Sequence, residues 1–515
     1  MSGRWRVRPR RAVSPCAPTA STAAELRLGC NATPTGECTV AQRRSVLAVL
    51  LLACLPAAVS FAADSKPATD KDFVAYAQPV IAFTHADIVD GTGHKAAHDQ
   101  TLVIDKGRIA ALGKSSRVKV PDGATVIDAH GKTLLPGFVL MHEHMFYPAG
   151  EAAYNEMTFS FPRLYLAGGV TTMRTAGTMM PYADINVRDA IARGELVGPD
   201  MDVTGPYLNG PGLPIPGVHV LSGVDDAERT VNYWADEGVT SYKAYMQISR
   251  AELQRAIEVA HQRGHKITAH LCSVTYREAV ELGIDNLEHG FFVASDFVPD
   301  KQHDTCPSGA AVQKSLVDMD PASPEAKALI KLLVDHHVAL TSTLTVFETF
   351  VPGRPKAPQG VLDLMIPEVR AQYEAQWNKV QGSKTAWSTL YPKLARLEKQ
   401  FVDAGGTLMA GTDPTGYGGV VPGYSAQREI ELLVEAGFSF EQAIHIATFN
   451  GAHYMGRDAD IGTLAVGKRA DIVVIDGNPL KDVAAIEHMP FVFKNGVGYD
   501  RQAILGTMSH TVGLH

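Results

Sequence analysis

Three short apolar runs in the middle of the sequence each end on a side chain able to bind a metal or carry a proton: Lys243, His270 and His289. Helix signals separate them. Ser249 and Glu252 have the spacing of a capping box for a helix that stops at Gly264, and Tyr276–Leu282 reads as a helix stopped by Gly283. Strand and helix signals in alternation predict a parallel α/β arrangement. That arrangement puts Lys243, His270 and His289 at the C-terminal ends of three consecutive strands, which in a parallel barrel form the active-site face.

The alternation extends in both directions. Met141-His142-Glu143-His144 closes an earlier apolar run, and Ser323 with Pro324 starts a later helix by a Ser cap and a Pro in the first turn. Residues 338–346 read as a seventh strand and 406–413, ending on Gly411-Thr412-Asp413, as an eighth; Ser439 and Gln442 cap a last long helix running through Thr448. Between strands seven and eight lies an insert, 350–392, carrying Trp377 and Trp387, whose length predicts a helical lid rather than a bare loop. The flanks read differently, with short β-rich runs at 80–84, 101–105, 106–113 and 124–128, and again at 470–476 and 491–496. The expected organisation is therefore a β-sandwich built from 78–135 and 455–505, surrounding a central domain over 136–454.

Charge divides the chain. Residues 1–63 hold eight Lys/Arg against two Asp/Glu, which leaves 39 against 53 in the remainder, an acidic body that argues against nucleic-acid partners. The first 42 residues are rich in Arg, Pro, Ala, Ser and Thr without periodicity and are expected not to fold. Arg43-Arg44, the apolar run to Pro56 and the small residues up to Ala62 form a signal-peptide pattern. Export is the expectation, to a periplasm or the exterior, with twin-arginine and lipoprotein variants left open. A stable membrane span is not expected, because the run is broken by Pro56 and is shorter than about 20 apolar residues. Of the six cysteines only Cys272 and Cys306 lie outside this segment, either paired or as two buried thiols.

The residue types at the strand ends suit a metal centre. His142 and His144, one residue apart on a strand, project to the same side, while Glu143 points the other way and is expected to be structural. Lys243 shares its inward phase with Tyr245, and its ammonium would repel a metal ion. Carbamylation by carbon dioxide turns that lysine into an anionic bridging ligand. Asp413 is the acceptor for a proton from a metal-bound water, whose pKa a metal lowers to about 7. Arg174 can pair with a substrate carboxylate or form a rim salt bridge. Tyr245, Tyr207 and His219 can hydrogen-bond a substrate or order their own loops.

Taken in order, Leu134-Leu-Pro-Gly137 leading to His142-x-His144, then His270, His289, Gly411-Thr-Asp413, Ala447-Thr-Phe-Asn-Gly-Ala452 and Ile461-Gly-Thr-Leu-Ala-Val-Gly-Lys468-Arg-Ala-Asp471 resemble the landmarks of the amidohydrolase superfamily. The resemblance covers roughly 80–496. It implies a distorted (β/α)8 barrel, an α/β fold, flanked by a small β-sandwich domain formed from both termini. It further implies two divalent metal ions, Zn fitting the ligands. Asp413 would join His142 and His144 on the more buried ion, His270 and His289 would hold the more exposed one, and carbamylated Lys243 would bridge them. Hydrolysis would proceed by a metal-activated hydroxide, with Asp413 passing the proton to the leaving group. The sequence departs from the pattern at Leu140, where the family often has Asp. A lysine at position 243 favours the binuclear branch and cleavage of a carbon–nitrogen bond in an amide, dipeptide or N-acyl amino acid. A lactone, ester or phosphotriester hydrolase on the same site and a mononuclear deaminase are the alternatives. A non-catalytic binding protein would be expected to lack a ligand or the base, and neither is missing. The expected partner is a small-molecule substrate, with a homo-oligomer left open.

Overall fold

A computed structural model describes residues 69–514 apart from 151, 152 and 214, so the expected extension and signal segment lie outside the described residues. Eight short parallel strands carry the centre of the chain. In one sheet β3 (Asp200–Asp202) pairs with β2 (Val170–Thr175), which pairs with β1 (Phe138–Glu143). In the other, β4 (Ser241–Ala244), β5 (Lys266–Ala269), β6 (Asn286–Glu288), β7 (Ala339–Ser342) and β8 (Leu408–Ala410) pair in that order. Backbone bonds also join the two sheets. Thr412 N and Asp413 N both donate to His142 O at 3.1 Å, and Gly205 N donates to Ser241 O at 3.0 Å.

Local signals explain most of the helices between these strands. Both halves of the capping box form at Ser249/Glu252, Thr275/Glu278 and Ser439/Gln442, and Gly283 ends its helix in the left-handed conformation. The strands are buried on both faces, β1, β2 and β7 having every residue buried, as parallel strands covered by helices must be.

The β-rich flanks do meet. Strands 74–76, 497–500, 491–494, 472–476, 132–136, 80–88, 97–105 and 108–114 lie side by side in one sheet, with 125–128 alongside 80–88. Ile81, Phe83, Leu102, Ile104, Leu134, Ile472, Val474 and Phe493 form its separate core, drawn by period-two alternation from both ends of the described chain.

One element boundary differs from expectation. The seventh strand stops at Ser342, and Leu344–Glu348 is helical. The carboxylate of buried Glu429 explains the switch, because it accepts from Leu344 N at 3.2 Å and Thr345 N at 2.9 Å and so satisfies the free donors of that helix start. The last long helix runs Phe440–Ala447 with Thr448 as its C-cap, where it was expected to end, and a short helix Phe449–Tyr454 follows. The segment that follows Leu344–Glu348 holds helices Gln359–Leu364 and Pro367–Gln381, and a third, Trp387–Asp403, begins inside 350–392 and runs beyond it. Cys272 and Cys306 are joined as a disulfide, which settles the choice the sequence left open. No helix among the described residues is long and apolar enough to cross a membrane.

Candidate metal centre

The C-terminal ends of the parallel strands bring His142, His144, Lys243, His270, His289 and Asp413 onto the wall of one cavity of about 220 Å³. His142, His144 and Asp413 each present a ligand atom, all within 4.8 Å of one another. The approach depends on Gly411, where an added Cβ would sit 2.3 Å from the His142 Cβ; β8 reaches β1 only because that atom is missing. Asp413 and His289 both have left-handed backbones, φ 50° and 68°, conformations that L-residues adopt at a cost of about 1 kcal/mol or more.

Hydrogen bonds behind the imidazoles fix how they face the cavity. His142 Nδ1 lies 2.7 Å from Glu288 Oε2 and His144 Nδ1 lies 3.2 Å from Gly177 O. The carbonyl can only accept, and Glu288 is held ionised, so both Nδ1 atoms carry the proton and both Nε2 atoms present a lone pair. Those lone pairs point at another acceptor, His142 Nε2 being 3.7 Å and His144 Nε2 3.3 Å from the Asp413 carboxylate. Three converging acceptors repel unless a positive charge lies among them, and Lys243 Nζ, 3.3 Å from His142 Nε2, answers one of the three while it stays protonated. The donor set therefore fits a divalent metal. His289 Nδ1 is 2.8 Å from Thr343 Oγ1 and 3.9 Å from Asp413 Oδ2, and the His289 ring lies 4.5 Å from those of both His142 and His270.

Electrostatics agrees. Burial pushes the pKa of His144 down to about 4 and that of His270 to about 3, and holds His142 and His289 below the usual imidazole range, so all four rings are neutral near pH 7. Burial opposes ionisation of Asp413 and Glu288, but attraction to the imidazoles as these protonate in acid, joined at Glu288 by the Arg174 guanidinium, outweighs it and holds both carboxyls well below the usual range. Lys243 Nζ stands 3.3 Å from His142 Nε2, and burial brings its pKa down to about 8. A neutral amine is thereby within reach, which is the form that adds carbon dioxide.

Glu143 points away from the cavity, as expected, and accepts from Thr412 N at 2.8 Å and Thr412 Oγ1 at 2.6 Å, bracing β1 against β8. Burial pushes its pKa up to about 8. Tyr207 and Tyr245 line the cavity with rings 4.8 Å apart, and burial keeps both phenols protonated.

Two expected substrate contacts lie elsewhere. Arg174 is buried beneath the centre, donating to Glu288 Oε1 at 2.6 Å, Met141 O at 2.6 Å and Asn286 Oδ1 at 3.0 Å, so its guanidinium is not presented to a substrate carboxylate. It follows the inward phase of β2 below the strand end. His219 is exposed and faces Asp226 at 3.4 Å, while its neighbours Ile215 and Val218 line the cavity. Glu288 escaped the sequence reading, although its place directly before His289 was its signal. Phe146 and Tyr154 on the cavity wall come from a short antiparallel strand pair, Phe347 from the helix Leu344–Glu348 and Phe350 from the turn after it, and none carries such a mark.

Comparisons with known proteins follow this geometry. The chain is 23% identical to an imidazolonepropionase of Alkaliphilus metalliredigens over 442 residues, 77% of this chain and 89% of that one. It is 41% identical to an enamidase of Eubacterium barkeri, but over 78 residues, 15% of this chain and only 20% of the enamidase. A bottromycin amidohydrolase structure superposes with a TM-score of 0.63 at 22% identity, covering 83% of this chain and 88% of that one, a likeness of fold that makes this a TIM-barrel-like α/β architecture. The model of the Amidohydrolase family matches residues 133–497, every strand-end ligand included, and the chain belongs to that family.

Proposed function

We propose that this protein is a hydrolase that cleaves a carbon–nitrogen bond in an amide, dipeptide or N-acyl amino acid, using two divalent metal ions, Zn fitting the ligands, bridged by carbamylated Lys243. The observation that carries the reading is the convergence of lone pairs from His142, His144 and Asp413 beside the buried amine of Lys243. His142, His144 and Asp413 would hold one ion and His270 and His289 the other. Bound there, the metals supply Lewis acidity and lower the pKa of their water to about 7.

The chain's own residues supply the rest. Asp413, an acceptor at the cavity wall steadied by the Thr415 hydroxyl at 2.7 Å, takes the proton of the attacking water and delivers it to the leaving nitrogen. Tyr207 and Tyr245, protonated and lining the cavity, are placed to donate to the developing oxyanion. Phe146, Ile215, Val218, Phe347 and Phe350 exclude water and favour an apolar substituent beside the scissile bond. In this reading the eight parallel strands close a distorted (β/α)8 barrel, and the sheet built from both flanks forms the β-sandwich domain. Export is part of the proposal, supported by the signal pattern before residue 63 and by a disulfide of the kind oxidising compartments preserve.

The test combines metal analysis with a panel of amides, dipeptides, N-acyl amino acids, lactones and phosphotriesters on reconstituted protein. Lys243→Ala is expected to lower the metal content from about two per chain toward one and to abolish hydrolysis. Unchanged stoichiometry and rate in that variant would overturn the bridging role, and turnover confined to lactones or phosphotriesters would overturn the substrate class.

A further inference from the structure

The walls of the metal cavity limit what can flank the scissile bond. Among the described residues that line it, Lys243 and Asp413 are the only ones with a charged side chain near pH 7, because the four histidines are neutral. Both are taken up by the centre itself, Asp413 as a ligand and Lys243 as an amine that carbamylation turns into an anion. Other cations near the site face away from it. Arg174 lies beneath the centre against Glu288, and exposed His219 meets Asp226. The helix Leu344–Glu348 screens two more: Val346 and Phe347 face the metal cavity, whereas Thr345 and Glu348 line a separate one, where Arg354 and Arg428 are matched by Glu435 and Glu348.

What the wall offers instead is rings. Phe146 stacks on His144 with centroids 4.4 Å apart, Phe347 meets His289 edge-on at 5.5 Å, and Tyr245 meets His270 edge-on at 4.9 Å, so three of the four imidazoles carry an aromatic neighbour that also lines the cavity. Tyr154 stands edge-on to Phe146 at 5.2 Å and Phe350 lies 6.0 Å from Phe347, so each of those two rings is backed by another. Such spacings are the ones aromatic pairs prefer, and an incoming ring would meet partners of the same kind. An apolar cavity of about 150 Å³ accommodates benzene, so one of about 220 Å³ has room for a ring and an amide group.

A carboxylate or ammonium remote from the scissile bond would exchange water for carbon here and meet no opposite charge, whereas an uncharged polar group loses far less on entry. The phenols of Tyr207 and Tyr245 stay protonated, so they can answer a carbonyl without adding charge.

We propose that the substrate is an uncharged aryl amide, and that free dipeptides and N-acyl amino acids, whose carboxylate finds no cation on this wall, are poor substrates. This selectivity rests on the hydrolase reading of the same site and narrows its substrate class. Water gives its hydroxyl to the acyl carbon as the carbon–nitrogen bond breaks and its proton goes to the leaving nitrogen, so the products are a carboxylic acid and an amine.

Two pairs of probes differ only by a carboxamide in place of a carboxylate: N-benzoylglycinamide against N-benzoylglycine, with the ring on the acyl side, and N-acetylphenylalaninamide against N-acetylphenylalanine, with the ring on the amine side. The metal-loaded full chain is assayed for release of benzoate or acetate, and kcat/KM is compared because it reports binding that reaches the transition state. In each pair that is cleaved, the neutral member is expected to exceed its anionic partner at least about tenfold, and to exceed its ring-free analogue, N-acetylglycinamide or N-acetylalaninamide, by as much. Val218→Arg supplies a cation from a half-buried loop position on the wall and is expected to narrow the charge preference about tenfold. Thermal melts establish that the variant folds, and if it does not, the ratios in the native protein decide. Equal or faster cleavage of the anionic or ring-free member, or an unchanged ratio in folded Val218→Arg, would overturn the proposal and leave carbon–nitrogen hydrolysis standing. Hydrolysis of no amide by protein carrying both metals would overturn the hydrolase reading and the proposal with it.

Discussion

Replacing Glu288 by Gln tests whether the metal centre is built from behind. The carboxylate is fully buried and serves three groups: His142 Nδ1 at 2.7 Å, Arg174 at 2.6 Å and the Thr268 hydroxyl at 2.5 Å. The amide keeps the volume but removes the charge that pairs with an arginine itself 1% exposed. Breaking one side of a buried pair costs about 3–5 kcal/mol. Arg174 retains Met141 O and Asn286 Oδ1 as acceptors, so the lower end applies. With an unfolding entropy of about 2.1 cal/mol/K per residue over the folded chain, about 3 kcal/mol lowers Tm by about 3 °C. Loss of the carboxylate behind His142 also weakens its hold on a metal, about 10–100-fold in affinity for outer partners of this kind. Competition with a chromophoric chelator reads the affinity and a melt of the stripped protein reads the stability. Adding Arg174→Gln should restore part of Tm while leaving metal affinity low, because the stranded charge is gone but the orienting carboxylate is still missing. A Glu288→Gln protein with native Tm and native metal affinity would refute the reasoning.

Gly411→Ala places a Cβ 2.3 Å from the His142 Cβ and is expected to cost about 1–3 kcal/mol and to lower metal content, read by a melt and elemental analysis. Reducing the Cys272–Cys306 bond, which spans 34 residues, is expected to remove about 3–4 kcal/mol by the chain-entropy relation, visible as a lower denaturant midpoint with an unchanged fold. Burial opposes ionisation of Asp200, but Lys494 at 2.7 Å and Arg469 at 2.5 Å outweigh it and hold its pKa well below the usual carboxylate range. Its contribution is therefore present above the unfolded carboxyl pKa and fades as pH falls below about 4, so Asp200→Asn should flatten the acid limb of the stability profile.

What was legible in the sequence was what is written locally. Capping at Ser249, Ser323 and Ser439 and the stop at Gly283 depend on residues within a turn of each other, and all four form as read. The six strand-end residues carry their chemistry in their names and converge. What the sequence hid is set across long separations. Glu429 ends the seventh strand early from 84 residues away, and Arg174 is claimed by Glu288 at a separation of 114. Neither partner lies within reach of a pattern search. His219 failed for a different reason, since nothing in its local sequence distinguishes it from Ile215 and Val218, the loop residues that line the cavity.

Glu143 and Thr412, which lock the first and eighth parallel strands together, are 269 positions apart. Ribosomal synthesis delivers one long before the other, so the bond between them cannot form until most of the chain has been made. Such distant closure is slow, and until it occurs the histidines dangle from unjoined pieces. A metal site that needs both His142 and Asp413 would therefore form only once the chain has folded. A chain cut short before Asp413 would leave its makers with imidazoles and no centre.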